Sequence, residues 1–310
     1  MKRLHYVSCS VSLNYIISEY PNNFLGEVMH WNQKPTLVVG DETLCSILSR
    51  EIINRGAYVY YWAPVKSRID MTYSSSMQIV SRDISTLTGS ERFIRRSSLI
   101  FYMLSSEYLE RNYEATLEFI RRITNSMTSR IAKIIVTIPM EEGKVDLSEL
   151  IEIFSENTQI IGSIVALPSI YGPRISRGII FEALKQLKEN PCKVKVQARP
   201  YSVEEFIYIN DAITAITKLL RRLKSVEIYR LTGDKVRVSS VIRRILAILG
   251  LDGFTQVTYT GKILRKNRKI LEIAKELEWF KPSMRIGEGL RRTIDWFEAT
   301  YGPILVCPRR

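Results

Sequence analysis

Apolar runs of strand length alternate with helix-period segments along most of this chain, and no other feature constrains its fold as tightly. Thr36 to Val39 is a short apolar run, followed by Leu44, Ile47, Leu48 and Ile52 on one helical face and by Gly56 where a helix stop is favoured. Ala57 to Tyr61, Met77 to Val80, Ser98 to Met103, Ala132 to Thr137 and Ile161 to Ala166 are further strand candidates. Between them, Asn112 to Ser126 and Leu147 to Phe154 carry apolar residues at helical spacing. Strands and helices in alternation predict an α/β fold with a parallel sheet covered on both faces. Past Pro173 the spacing predicts helices over Ile179 to Leu187, Ala212 to Leu223 and Ile286 to Ala299, with short strands near Lys193 to Val196 and Val226 to Leu231. Residues 1–34 have no clear period and read as an N-terminal extension.

The formal net charge of +13 is unevenly placed. Residues 1–160 hold 17 basic and 18 acidic side chains, whereas residues 161–310 hold 28 and 14. An anionic partner on the second half would account for the excess, and so would a solvated basic surface. No apolar run has transmembrane length and the N-terminus lacks a signal-peptide pattern, so the expectation is a cytoplasmic protein with no membrane partner. Cys9, Cys45, Cys192 and Cys307 are scattered with no C-x-x-C pair, which fits reduced structural cysteines and offers no metal-site spacing.

Three stretches of the second half stand out: Leu167-Pro168-Ser169-Ile170-Tyr171-Gly172-Pro173-Arg174, Phe206-Ile207-Tyr208-Ile209-Asn210-Asp211-Ala212, and Gly287 to Phe297. In that order and spacing they resemble the extended short-chain dehydrogenase/reductases, the family of NAD-dependent nucleotide-sugar epimerases and dehydratases. The resemblance implies a Rossmann-like doubly wound parallel sheet over residues 35–175 and a smaller C-terminal α/β lobe over 176–310, with strands returning to the core sheet. It also implies NAD or NADP as cofactor, a nucleotide-sugar ligand, and a homodimer formed through the helices at Asn112 to Ser126 and Leu147 to Phe154.

Against that family's pattern the first half departs. A dinucleotide turn needs glycines so that backbone can turn tightly and approach the pyrophosphate. Alignment back from Glu51 to Gly56 places Val39, Glu42 and Cys45 at the three glycine positions, and none of the fifteen glycines forms such a triplet elsewhere. Gly40 remains in the turn, while Asp41 and Glu42 bring carboxylates to the helix start, where they serve the free N–H groups themselves. Trp62-Ala63 stands where the family carries its ribose-binding acid, and Asp83 matches the adenine-contacting Asp.

Hydride chemistry in this family uses a Tyr as acid/base, a Lys four residues on, and a Ser or Thr. None of the sixteen tyrosines has Lys at i+4. Counting back from Tyr171 places Met140 at the tyrosine and Lys144 at the lysine; Thr137 is the nearest hydroxyl, and Tyr102, Tyr108 or Tyr113 is a displaced phenol. In the lobe, Glu204 stands at the family's diphosphate-binding Arg and Ser169 at its Asn. The segment Lys262 to Lys269 has five basic residues in eight, making Arg265, Lys266, Arg268 and Lys269 candidates for a phosphate-bearing ligand or RNA. The expectation is a pseudoenzyme acting as a binding or structural component. Its alternatives are an active nucleotide-sugar enzyme with a non-standard site and an RNA-binding protein on the same fold.

Overall fold

A computed structural model describes residues 35–62, 75–81, 90–126, 133–141, 146–156, 161–261 and 266–307, all within the compact unit Trp31–Arg310. The extension at 1–34 lies outside the described residues. Eight parallel strands form the central sheet: β1 (Pro35–Gly40), β2 (Tyr58–Trp62), β3 (Met77–Ser81), β4 (Leu99–Met103), β5 (Lys133–Pro139), β6 (Ile161–Leu167), β10 (Glu227–Arg230) and β13 (Lys275–Glu276). Their order is β13-β10-β6-β5-β4-β1-β2-β3. The chain therefore reverses direction across the sheet between β1 and β4, the place where doubly wound folds bind ligands at the carboxyl ends of their strands.

Strand residues are buried on both faces, as in Leu99 to Met103, because helices cover each side. These are α1 (Glu42–Asn54), α2 (Ser90–Arg96), α3 (Ser106–Ser126) and α4 (Ser148–Glu156). α3 kinks at Asn112, whose side-chain amide donates to the Tyr108 carbonyl. Leu117, Ile120 and Ile123 of α3, like Leu147, Leu150 and Phe154, are 3% exposed or less and pack on the chain's own sheet. Their spacing, which suggested a homodimer face, is thus accounted for within one chain.

The C-terminal residues build a second core. A three-stranded sheet β11-β9-β7 joins β7 (Ser169–Tyr171), β9 (Val203–Tyr208) and β11 (Asp234–Arg237), and β8 (Lys193–Val196) pairs with β12 (Gln256–Tyr259). Packed on them are α5 (Gly178–Glu189), α7 (Val238–Ile248) and α9 (Ile286–Tyr301), while α6 (Ile209–Leu219) follows β9 directly. The segment carrying α8 (Arg268–Ile273) and β13 returns to the first core through Ile270 and Ala274.

One expectation is corrected here. Cys192 and Cys307 form a disulfide that ties the end of α5 to the segment after α9. Their separation of 115 residues offers no local spacing from which the pair could be read. Cys45 is free and buried.

Candidate functional site

The carboxyl edge of β1 and β4 is built by one tight connection. β1 ends at Gly40 and α1 begins at Glu42, leaving Asp41 alone between them. Gly40 has φ +119°, and a Cβ there would lie 2.2 Å from the Met103 carbonyl oxygen. The Asp41 N–H donates to that carbonyl at 2.7 Å, pinning the turn onto the end of β4. As N-cap of α1, the Asp41 carboxylate accepts from the Leu44 N–H at 3.1 Å. Its second oxygen accepts from the Ser105 hydroxyl at 2.7 Å and from the Arg177 guanidinium at 2.6 Å. Ser105 in turn accepts from the Tyr108 N–H and so caps α3. Burial pushes the Asp41 pKa up, but Arg177 and these hydrogen bonds outweigh it and hold the carboxyl below its ordinary value. One charged network thus serves two helix starts and draws in Arg177 from the residues before α5.

A pyrophosphate at this turn would meet that carboxylate in place of free N–H groups. Around it, Val39, Cys45 and Trp62 are 1% exposed or less, and the Tyr61 hydroxyl donates to the Glu42 carbonyl. Burial drives the Cys45 thiol well above its ordinary range, with Asp41 and Glu42 adding to the effect. These residues do not fit a dinucleotide held by the first turn: the phosphate position has its own anion and the ribose position has a buried indole. Asp83 lies outside the described residues.

The described catalytic candidates are hydrogen-bonded within the fold. Thr137 is fully buried, and its hydroxyl accepts from the Leu104 N–H at 3.0 Å, joining the ends of β4 and β5. Tyr113 donates to the Asp146 carbonyl at 2.6 Å and fastens α3 to the start of α4. Both hydroxyls make structural hydrogen bonds in this fold. The buried Tyr102 hydroxyl donates to Thr116, and burial raises its pKa and that of Tyr108. Met140 is 1% exposed, and Lys144 lies outside the described residues.

At the lobe edge, the expected anion contacts are already engaged with acids. Ser169 donates to Glu141 at 2.5 Å, and the Lys266 ammonium pairs at 3.0 Å with Glu205, which also accepts from the Gly233 N–H. Ser169 and Lys266, the expected anion contacts, are each engaged with a carboxylate of the chain itself. Arg268 and Lys269 are exposed at the start of α8, and Arg265 lies outside the described residues; the Asp146 carboxyl is held below its ordinary value by hydrogen bonds from Ser148, with Lys269 adding to the effect. Glu204 is 4% exposed, and burial, with Glu141 adding to it, pushes its pKa up to about 7. Three carboxylates thus surround one ammonium. Among the described residues no group of acids, histidines or cysteines has a geometry that could hold a metal ion.

This architecture matches solved structures closely in shape. UDP-glucose 4-epimerase from Thermotoga maritima, solved with UDP-glucose, superposes with a TM-score of 0.66 at 15% identity, covering 86% of this chain and 99% of the other. UDP-glucuronic acid 4-epimerase from Bacillus cereus, with UDP-glucuronic acid and NAD, gives 0.65 at 16%, covering 86% and 100%. UDP-N-acetylglucosamine 4-epimerase from Methanobrevibacter ruminantium gives 0.65 at 15%, covering 87% and 99%. The chain has the extended short-chain dehydrogenase/reductase fold. No family model matches the sequence, and no curated protein matches it.

On this epimerase fold the residues that hold the structure are where the three stretches imply. Asp211 accepts from the Ser283 N–H and hydroxyl and from the Met284 N–H, anchoring the approach to α9. Tyr171 packs edge-on against Phe206 and Tyr208 and lies against Gly289. Sequence reasoning missed Ser105 and Arg177. Ser105 carried a local signal, a Ser just before a helical pattern, but Arg177 meets Asp41 across 136 residues and carried none.

Proposed function

We propose that this chain uses the epimerase fold as a binding component and does not carry out NAD-dependent hydride transfer. The observation that supports this most is the Asp41 carboxylate at the start of α1, held by Leu44, Ser105 and Arg177. An unpaired carboxylate about 4 Å from a phosphate oxygen would disfavour it by roughly 4 kcal/mol at an effective dielectric of ~20. Arg177 offsets part of that repulsion, and what remains is that Asp41, not a ligand phosphate, occupies the N–H group of Leu44 and the guanidinium. The lobe edge supports the same reading, because Glu204 stands where the resemblance places a diphosphate-binding Arg, and the neighbouring Lys266 is taken up by Glu205. Calorimetry with UDP-glucose and with UDP-glucuronic acid tests this directly. Neither should bind at the carboxyl edge of the central sheet, and one-to-one binding of either at micromolar affinity that survives the double change Arg285→Glu, Arg291→Glu in the C-terminal lobe would return the chain to the nucleotide-sugar enzymes.

A further inference from the structure

We propose that a groove between β11, α7 and the start of α9 binds a phosphorylated small molecule with an apolar or planar body. Neither the Asp41 network nor the Glu141–Glu204 cluster contributes to its lining. The groove has a volume of about 960 Å³, within the range of small-ligand sites. Val236, Ala247, Ile248 and Ile286 give it apolar walls, and Arg244, Arg285 and Arg291 stand around them.

The charge in this groove is unbalanced. Of its two acids, Glu288 pairs with Arg292 at 2.8 Å, while Asp234 accepts from the Ile286 N–H at 2.8 Å and keeps its charge, so Lys235, Arg244, Arg285 and Arg291 outnumber one uncompensated carboxylate. Arg244, Arg285 and Arg291 are exposed and make no ion pair or side-chain hydrogen bond among the described residues. Elsewhere on the surface, Arg230 and Arg292 each have a carboxylate partner. Three unmatched guanidinium groups around one concavity raise its potential, and their planar donor forks match phosphate oxygens. The apolar walls would then cover the ligand's body, which a fully solvated charged surface would not do. Arg244 and Ile248 are four residues apart on α7, so head-group and body contacts come from one helical face.

Gly287 makes the groove testable. A Cβ built there meets nothing within 4 Å and the backbone is not left-handed, so a side chain would enter the groove without straining the fold. The test is calorimetry of the whole chain with phenyl phosphate, glycerol phosphate and inorganic phosphate, beside a short single-stranded RNA. Phenyl phosphate should bind one-to-one and more tightly than the other two phosphates. The Arg285→Glu, Arg291→Glu double variant should weaken it by about tenfold or more, since it removes charge-assisted contacts. Gly287→Trp should abolish binding with melting unchanged, separating this site from the sheet-edge crevice. If the tryptophan variant does not fold, the two exposed arginine changes still decide the matter. Equal affinity for glycerol phosphate, binding retained in the arginine variant, or no phenyl phosphate binding would each overturn the proposal. Binding of RNA alone with a steep salt dependence would overturn it as well, because it would mean a polyanion surface without a ligand pocket.

Discussion

Replacing Asp41 by Ala should destabilise the chain by about 2–4 kcal/mol. The change removes the N-cap bond to Leu44, worth ~1 kcal/mol. It also removes the charge-assisted bonds from Ser105 and Arg177, which contribute roughly 1–3 kcal/mol. The upper end is discounted because the Arg177 side chain is 34% exposed and regains water when its partner is lost. At roughly 2–4 °C per kcal/mol for a domain of this size, thermal unfolding should fall by about 4–16 °C. Asp41→Asn keeps a capping oxygen and should cost about half as much. The charge part has a pH signature. Because the folded carboxyl titrates below its ordinary value of 3.8, its contribution is fully present above that pH and lost as pH falls through the depressed value. Fluorimetric melting of wild type and both variants from neutral pH into acid should show a constant gap that closes at the acid end. Equal melting of wild type and Asp41→Ala, or an Asn gap that persists unchanged in strong acid, would refute the network's role.

Gly40→Ala forces a Cβ into the Met103 carbonyl at φ +119° and should cost more than about 3 kcal/mol, read as loss of soluble folded protein or a large drop in melting temperature. Glu204→Gln should stabilise at pH 8 by on the order of 1–2 kcal/mol and have no effect near pH 4. The folded carboxyl titrates at about 7, above its unfolded value, so it loses stability as pH rises through that interval. Reduction of Cys192–Cys307, which closes a loop of 115 residues, should lower stability by about 2–4 kcal/mol, with the linked peptide recovered from a non-reduced digest.

The sheet was legible because each strand carries its own signal. β1, β4, β5 and β6 are continuous apolar runs, and the first five residues of α1 to be buried recur at helical spacing. α7 was missed although Val238, Val241, Ile242 and Ile245 form an apolar face, because its flanking strands β11 and β12 are only four residues each and give too short a pattern to frame it. At the site, Asp41 was readable as a cap from its position before an apolar helix. Its partner Arg177, the Glu205–Lys266 pair and the Cys192–Cys307 bond join residues distant in sequence, so only the folded chain brings them together. The basic run at 262–269 drew attention by composition, yet Lys266 lies against a buried carboxylate, whereas the unmatched arginines are spread over α7 and α9 where no run announces them.

The most direct measurement of the central claim is a titration with NADH, followed by its fluorescence and by thermal stability, on wild type and on an Asp41→Gly, Glu42→Gly variant. The expected result is that any enhancement of fluorescence or rise in melting temperature seen for wild type at millimolar NADH disappears with the added changes Arg285→Glu and Arg291→Glu. Saturable one-to-one binding that survives those two changes with Asp41 and Glu42 in place, with a stabilisation of several degrees, would contradict the account, since a ligand bound tightly to the native state must stabilise that state.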